Sequence, residues 1–329
     1  MRRSIMSWKV SMCSAIRTNN LKQLEELVNL GIDISQPIPF DPCSRDMTRM
    51  EILIDYRMYT PISIAIECGN IEMLSFLLKS GANYKVRSTE TSFHSQILKF
   101  EPLYQACRLH KYDMVDSILK AGADANGFAF NVIVMDEEEG GSMNYSHCNM
   151  RYIDLALENH DVELLTVLLN NGANPNLILE NSSQFLDFVE ESLSDFKFLQ
   201  MLIESGFGSP FVLKLEDLFN SIAQSLLHGW DGKFSAKLQL VNLLYLLGYK
   251  ARTESVKVHE NLLRKLSNCN DCRDIRLAII NLQKNPRRLN ETCRIVIRNQ
   301  LSEFHFNENL RKLPLPDILL DYLTMKDFF

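Results

Sequence analysis

The 329-residue sequence lacks the features that mark membrane proteins, nucleic-acid-binding proteins and disulfide-stabilised secreted proteins. It has no apolar run of 18 residues, the least that a membrane-spanning helix needs. A formal net charge of −6 disfavours broad binding to the phosphates of nucleic acid. The eight cysteines are scattered along the chain, which suggests reduced thiols in the cytoplasm or also the nucleus. We therefore expect a globular protein without membrane or nucleic-acid partners.

Catalytic and cofactor-binding motifs are missing as well. The sequence contains no G-x-x-x-x-G-K, no G-x-G-x-x-G after a strand and no G-x-S-x-G. Cys269 and Cys272 form a single C-x-x-C without a second pair, and His147–Cys148 is a lone dipeptide, so a zinc site is not favoured. We predict no catalytic residues, no metal ligands and no cofactor. A metal-dependent or thiol enzyme is retained only as the third of three hypotheses.

What the sequence does contain is an internal repeat. Four segments begin with Ala and reach Gly 16 residues later, at Gly31, Gly81, Gly122 and Gly172. An apolar pair stands four and three residues before each Gly. This pattern predicts two short antiparallel helices per copy, the second ended by a glycine in the left-handed conformation.

A second position in each copy also points to a turn. Asn19, Gly69, His110 and His160 lie 12 residues before the four glycines. These residue types tolerate a positive φ better than most others. We predict that they form the tight turn between the two helices of each copy.

Short motifs at the ends of the copies resemble the ankyrin repeat. TPISIA at 60–65 and EPLYQA at 101–106 are similar to its T-P-L-H-x-A opening, and GADAN at 122–126 and GANPN at 172–176 to its closing turn. Residues 198–208 and 240–250 look like second helices of two degenerate copies. The resemblance implies an all-α ankyrin-repeat solenoid over residues 1–284, with clear repeats at about 10–180 and degenerate ones at about 181–284.

The copies are separated by insertions. Successive glycines, from Gly31 to Gly248, are 50, 41, 50, 34 and 42 residues apart, and the extra residues lie in the loops between the copies. Insertions on one face of a solenoid often form its binding face. Long surface loops are also tolerated at little entropic cost, so the inserted loops have two interpretations.

The third insertion, residues 127–148, joins an apolar β-prone run to an acidic run and two glycines. It could be a hairpin with an acidic tip or a partly disordered finger. The acidic run is a candidate substrate-binding loop for a basic segment of a partner, or a solvated charge run. Its residues are Asp136, Glu137, Glu138 and Glu139.

The last 45 residues carry two further patterns. Residues 285–301 predict an amphipathic helix, capped by Asn285, whose other face carries Arg287, Arg294 and Arg298. Its apolar stripe, joined by Val296, consists of Leu289, Cys293, Ile297 and Leu301. A stiff corner follows, with Leu315 at the cap position of a last helix. It consists of Leu313, Pro314, Leu315 and Pro316. Each pattern could serve as a cap on the solenoid or as a surface for a partner.

The stripe followed by the corner is similar to the SOCS box, which we assign to residues 285–329. The stripe resembles the BC box, which implies that its four residues bind elongin C, with elongin B. The corner resembles the cullin-5 box, which implies that Leu313 to Pro316 bind cullin-5. Leu319 and Tyr322 are expected to anchor the last helix to the core of the box.

Ankyrin repeats followed by a SOCS box are typical of the ankyrin repeat and SOCS box family. The resemblance implies a non-catalytic substrate-recognition subunit of a cullin-RING ubiquitin ligase. Its partners would be elongins B and C, cullin-5 with a RING-box protein, and an unidentified protein substrate that is ubiquitinated and degraded by the proteasome. The alternative hypothesis is an ankyrin scaffold whose C-terminal helices only cap the solenoid.

Overall fold

Helices make up most of the fold, so the predicted class is confirmed, and a small sheet accompanies them. The structure is a computed structural model. It describes residues 2–40, 57–91, 96–129, 131–135, 144–147, 150–181, 197–207, 219–220, 222–224, 226, 234–249, 256–266, 273–284, 288–301 and 306–326. Within these ranges, no helix combines the length and the apolar character needed to cross a lipid bilayer.

The chain divides into two compact units, residues 1–171 and 172–329. The first contains the four clear copies of the repeat, and the second contains the degenerate copies together with the C-terminal helices. The boundary that we predicted between residues 284 and 285 stays a prediction.

Four helix pairs make up most of the first unit. The members of each pair pack against one another, and helices of successive pairs also pack together. In chain order the pairs are α1 Arg2–Arg17 with α2 Leu21–Asn29, α3 Pro61–Cys68 with α4 Ile71–Lys79, α5 Pro102–Arg108 with α6 Tyr112–Lys120, and α7 Tyr152–Glu158 with α8 Val162–Asn170.

The turn between the helices of each pair is where the sequence predicts it. Asn19, His110 and His160 have φ values of 54°, 52° and 50°, and Gly69 has a φ of 72°. In the third copy the amide of His110 donates to Cys107 O, and the next amide, that of Lys111, donates to Ala106 O. The residue types are therefore explained by backbone conformation.

The glycines that end the second helices also adopt the predicted left-handed conformation. Their φ values range from 75° at Gly31 to 104° at Gly122. Gly206 and Gly248, in the degenerate copies, have φ values of 101° and 97°. The prediction is thus confirmed in the degenerate copies too.

All three insertions contain strands, although the sequence analysis offers a strand structure only for the third. The strands are β1 Ile38–Pro39, β2 Arg57–Tyr59, β3 Ser88–Thr91, β4 Gln96–Phe100, β5 Asn131–Met135 and β6 Asn144–His147. They form one antiparallel sheet in the order β1 to β6. Strands from different insertions pair with each other, as β4 does with β5 through Leu98 and Ile133. For the first two insertions the prediction of loops was wrong, because this pairing depends on neighbours far away in sequence.

The third insertion contains the hairpin that was one of its two predicted forms. Strands β5 and β6 pair antiparallel, from Val132 opposite His147 to Met135 opposite Asn144. The acidic run Asp136 to Glu139 lies outside the described residues.

The described part of the second unit consists mainly of α-helices and begins with a short 3-10 helix at Pro175–Asn181. Its helices are α9 Lys197–Glu204, α10 Phe234–Leu246, α11 Val256–Leu266, α12 Arg273–Lys284, α13 Leu289–Gln300, α14 Phe306–Arg311 and α15 Asp317–Thr324. Helix α10 packs against α12, and α13 packs against α15. The rings of Phe219 and Tyr249 stack inside this unit, with their centroids 5.3 Å apart.

Candidate functional site

The three C-terminal helices, α13 to α15, enclose an apolar cluster of their own. Phe306, Leu310 and Leu323 form its buried centre. Five partly buried residues pack against that centre: Ile297, Leu301, Leu313, Leu315 and Leu320. Four of these five belong to the two sets that the sequence predicts as binding residues, so those sets also stabilise the helices.

The predicted elongin-binding stripe is divided between the surface and this cluster. Leu289 is 80% exposed, and Cys293 and Val296 are exposed beside it. Ile297 and Leu301 pack against the cluster. A four-residue spacing advances by about 40° per step around an α-helix, so the stripe turns from the surface towards the interior. The exposed apolar face of α13 is formed by Leu289, Cys293 and Val296.

The arginines of the same helix are not on a solvated face. Arg294 and Arg298 are each only 4% exposed, which corrects the amphipathic pattern that the sequence suggests. The guanidinium of Arg298 donates to the main-chain oxygens of Leu323, Ile203 and Phe207, the latter two at 3.0 and 3.1 Å. Burial, together with nearby Arg294, lowers the pKa of Arg298 to about 9, which still leaves it charged at neutral pH.

The last helix is anchored by Leu320 and Leu323, each one residue after a predicted anchor. Leu319 is exposed, whereas Leu320 and Leu323 face the cluster, so the role predicted for Leu319 was wrong. Tyr322 is partly buried beneath the guanidinium of Arg294, 4.7 Å from the ring centroid. The reason is the helical phase, which pairs position 320 with 323 on the inner face.

The proline corner exposes its prolines and turns its leucines inward. Leu313 and Leu315 pack against the cluster, while Pro314 and Pro316 are exposed. The amide of Leu315 donates to Leu313 O at 2.8 Å, which closes a tight turn. Ile318, in the first turn of α15, is 76% exposed, and sequence reasoning did not single it out.

The starts of the two flanking helices differ from the prediction. Helix α13 begins at Leu289, with Arg288 rather than Asn285 at the cap position, and the amide of Arg288 donates to Glu291 Oε2 at 3.0 Å. Helix α15 begins at Asp317, with Pro316 rather than Leu315 at the cap position. Asn285 lies outside the described residues.

In the first unit, a cluster of charged and polar side chains lies where strands β2 and β3 approach the end of helix α5. Glu90 of β3 accepts a hydrogen bond from Tyr59 Oη at 3.0 Å. Arg57 and Arg108 are also close to it, with nitrogen-to-oxygen distances of 3.8 and 3.7 Å. Burial and nearby Glu90 raise the pKa of Tyr59. These contacts connect strands β2 and β3 with the end of helix α5.

The histidine of the third turn takes part in a polar contact between two copies of the repeat. His110 Nδ1 lies 2.7 Å from Asp161 Oδ2, which also accepts from Tyr112 Oη. The other oxygen of Asp161 caps α8 through the amide of Leu164. Asp161 thus joins two neighbouring copies. In the part of the chain that the structure describes, no group of three or more His, Cys, Asp or Glu could hold a metal ion.

Two segments of the chain match models of known protein families. The SOCS box model matches residues 285–324, which include α13 to α15, and the ankyrin repeat model matches residues 57–86, which include α3 and α4. The chain is similar to the Homo sapiens protein named Ankyrin repeat and SOCS box protein 14, with 26% identity over 186 residues. The match covers 54% of this chain and 32% of that protein, so it spans about a third of the relative's length.

Proposed function

We propose that this chain, which combines ankyrin repeats with a C-terminal SOCS box, is the substrate-receptor subunit of a cullin-RING ubiquitin ligase. The observation that carries the proposal is the SOCS box itself, matched over residues 285–324 and folded as three helices with apolar residues at their surface. Ankyrin and SOCS box domains are typical of non-catalytic adaptor subunits.

The exposed face of α13 is the proposed elongin-binding surface. Leu289, Cys293 and Val296 supply apolar area that elongin C, bound to elongin B, would cover. Interface residues that enter a partner's pocket commonly contribute about 2 kcal/mol or more each. Ile297 and Leu301 have a different role in this proposal, since they hold α13 on the apolar cluster.

The exposed residues around the proline corner are the proposed cullin-5 surface. Four residues are accessible there: Pro314, Pro316, Ile318 and Leu319. Leu313 and Leu315 fix the backbone of the corner by packing against the apolar cluster. The prolines restrict the backbone before binding, so little conformational entropy is lost when a partner docks.

The chain would act by proximity and not by chemistry of its own. The ankyrin repeats and their hairpins would hold the target protein, with the acidic run Asp136 to Glu139 available to a basic segment. The RING-box protein and a ubiquitin-conjugating enzyme, brought by cullin-5, would transfer ubiquitin to a target lysine at a raised effective concentration. Proteasomal degradation of the target would follow. The scattered spacing of the eight cysteines in the sequence supports a cytoplasmic or nuclear location.

Co-purification tests the proposal directly. The full chain, expressed with tagged elongin B, elongin C and cullin-5, should recover all three in stoichiometric amounts. The control is the same chain with Leu289→Asp and Cys293→Asp. Failure of the unmodified, folded chain to recover elongins would overturn the proposal.

One observation favours a second candidate function, that of a plain ankyrin scaffold. Arg298 of α13 bonds to carbonyls at the end of α9, so the C-terminal helices do cover the end of a degenerate copy. A scaffold would keep this packing but would not recover elongins, and the same co-purification separates the two functions.

A further inference from the structure

The C-terminal helices are attached to the degenerate repeats through a buried arginine. Arg298 lies in the last turn of α13, and its guanidinium reaches the oxygens of Ile203 and Phe207 at the C-terminal end of α9. The same group reaches the oxygen of Leu323 near the end of α15. The C-terminal end of a helix carries unpaired carbonyls and a partial negative charge, which suits a buried cation. Arg298 therefore joins the ends of two helices.

Two of the helix-ending glycines add to this attachment. A Cβ built on Gly206 would lie 2.7 Å from the ring carbon Cγ of Phe306. A Cβ on Gly248 would lie 2.9 Å from Cγ2 of Ile295. Both glycines thus allow side chains of the C-terminal helices to approach the backbone of the repeats more closely than any other residue would.

A side-chain hydrogen bond lies beside these contacts. Tyr245 Oη of α10 donates to Glu291 Oε2 at 3.2 Å. Helix α13 is therefore held by α9 at its end and by α10 near its start.

The attachment uses the side of α13 opposite to its exposed apolar face. Arg298 follows Leu289 by nine residues, which corresponds to a rotation of about 180° around the helix. An elongin subunit that covers Leu289 and Cys293 would therefore leave Arg298 in contact with α9. Helix α13 thus contacts α9 with one side and exposes the proposed elongin-binding residues on the other.

We propose that the last repeat helices act as a template for the SOCS box, with Arg298 as the positioning residue that keeps α13 folded before elongins bind. A helix of about 12 residues is marginal by itself in water, and a module of about 40 residues has too small a core to be stable alone. Packing on α9 and α10 supplies what the module lacks. Elongins then bind a preformed surface, so less of the binding free energy is lost to ordering the SOCS box. The inference rests on the proposed function for the identity of its partner.

Hydrogen–deuterium exchange on the full chain without elongins, combined with titration by the purified elongin B–elongin C complex, tests the template. In the unmodified chain the amides of α13 should exchange slowly. Arg298→Gln should speed their exchange, and that of the end of α9, at least about tenfold, because several bonds to a charged donor are lost. The elongin affinity should fall by about the same factor, since ordering then competes with binding.

Two variants and an internal reference keep this test specific. Arg298→Lys keeps the charge and should restore part of the protection and part of the affinity. Arg311→Gln removes an exposed arginine of α14 and should match the unmodified chain. Slow exchange in α3 to α8 and in α12 shows that both units of a variant have folded.

The outcomes separate this inference from the proposed function. Fast exchange of α13 in the unmodified chain, or an unchanged elongin affinity for Arg298→Gln, would overturn the template even if elongins bind. A protected α13 in a chain that binds no elongin would instead overturn the proposed function.

Discussion

Within helix α13, position relative to the apolar cluster decides what each residue does. Leu289 and Ile297 belong to the same four-residue pattern, yet one is exposed and the other packs against Phe306 and its neighbours. Arg298, which has the most polar side chain of the three, is the most deeply buried. Residue type alone therefore does not separate binding residues from structural ones here.

The first prediction uses this difference. Leu289→Asp with Cys293→Asp should abolish elongin recovery and change the free energy of unfolding by no more than about 0.5 kcal/mol, because both side chains are exposed. Ile297→Asp should instead destabilise the second unit by about 3 kcal/mol, because it places a carboxylate against an apolar cluster. Pull-down and urea denaturation measure the two effects. Equal loss of stability in both variants would contradict the assignment of the exposed face.

The second prediction concerns Gly206, which combines a φ of 101° with close contact to Phe306. Gly206→Ala should cost about 3 kcal/mol, since the strain of a positive φ adds to overpacking. Gly31→Ala is the matched control, because its φ is 75° and nothing lies within 4 Å of the added Cβ. The control should cost about 1 kcal/mol. Similar losses for both variants in thermal denaturation would show that the Phe306 contact is loose.

At the scale of single elements, the proline corner and helix α15 form one unit with two sides. The leucines of the corner pack inward, and Ile318 and Leu319 of the helix face outward. The next prediction separates these sides.

Ile318→Ser with Leu319→Ser should weaken recruitment of cullin-5 without affecting elongin recovery or melting, because both side chains are exposed. Leu313→Ala with Leu315→Ala should lower the melting temperature, because both pack against the cluster.

Changing all four residues from Leu313 to Pro316 to Ala should also weaken cullin recruitment while elongins still bind. The measurement is a pull-down of cullin-5 and cullin-2 by chains saturated with elongins. Recovery of cullin-2 instead of cullin-5 would refute the cullin assignment.

The hairpin of β5 and β6 is a second element with a separable role. Its connecting segment contains Asp136, Glu137, Glu138 and Glu139, and replacing all four with Ser should leave melting unchanged. Capture of a basic target should weaken, and the loss should be larger at low salt, where exposed charges are less screened. Binding of a target at about 50 mM and about 300 mM salt, which give weak and strong screening respectively, provides the measurement. Equal capture at low salt would assign the acidic run to solvation.

For the whole molecule, the division into residues 1–171 and 172–329 has a consequence for stability. The C-terminal helices belong to the same compact unit as α9 and α10, so their removal should affect those helices first.

A chain that stops after Lys284 loses Arg298 and Phe306, and with them the contacts at the end of α9. We expect exchange in α9 and α10 to rise about tenfold or more, since lost burial lowers the local free energy of opening. Exchange in α3 to α8 should stay slow. Unchanged protection of α9 in the shortened chain would show that the SOCS box is an independent addition.

The sequence by itself determined the features that depend on neighbours within one copy. The turn at His110, the helix end at Gly122 and the two helices on either side of His110 all follow from a 16-residue pattern, because backbone conformation and helix termination are local properties. The SOCS box was also recognisable, since its stripe and its proline corner are contiguous motifs.

Only the tertiary structure decided which residues of those motifs are buried. The strands of separate insertions pair with one another, as Leu98 does with Ile133, and Arg298 bonds to a carbonyl 95 residues earlier in the chain. Local patterns hold no information about such distant partners. The sequence therefore identified the SOCS box, whereas the packing of α13 on α9 determined that Leu289 is exposed and Arg298 is buried, because burial depends on what the rest of the chain places beside each residue.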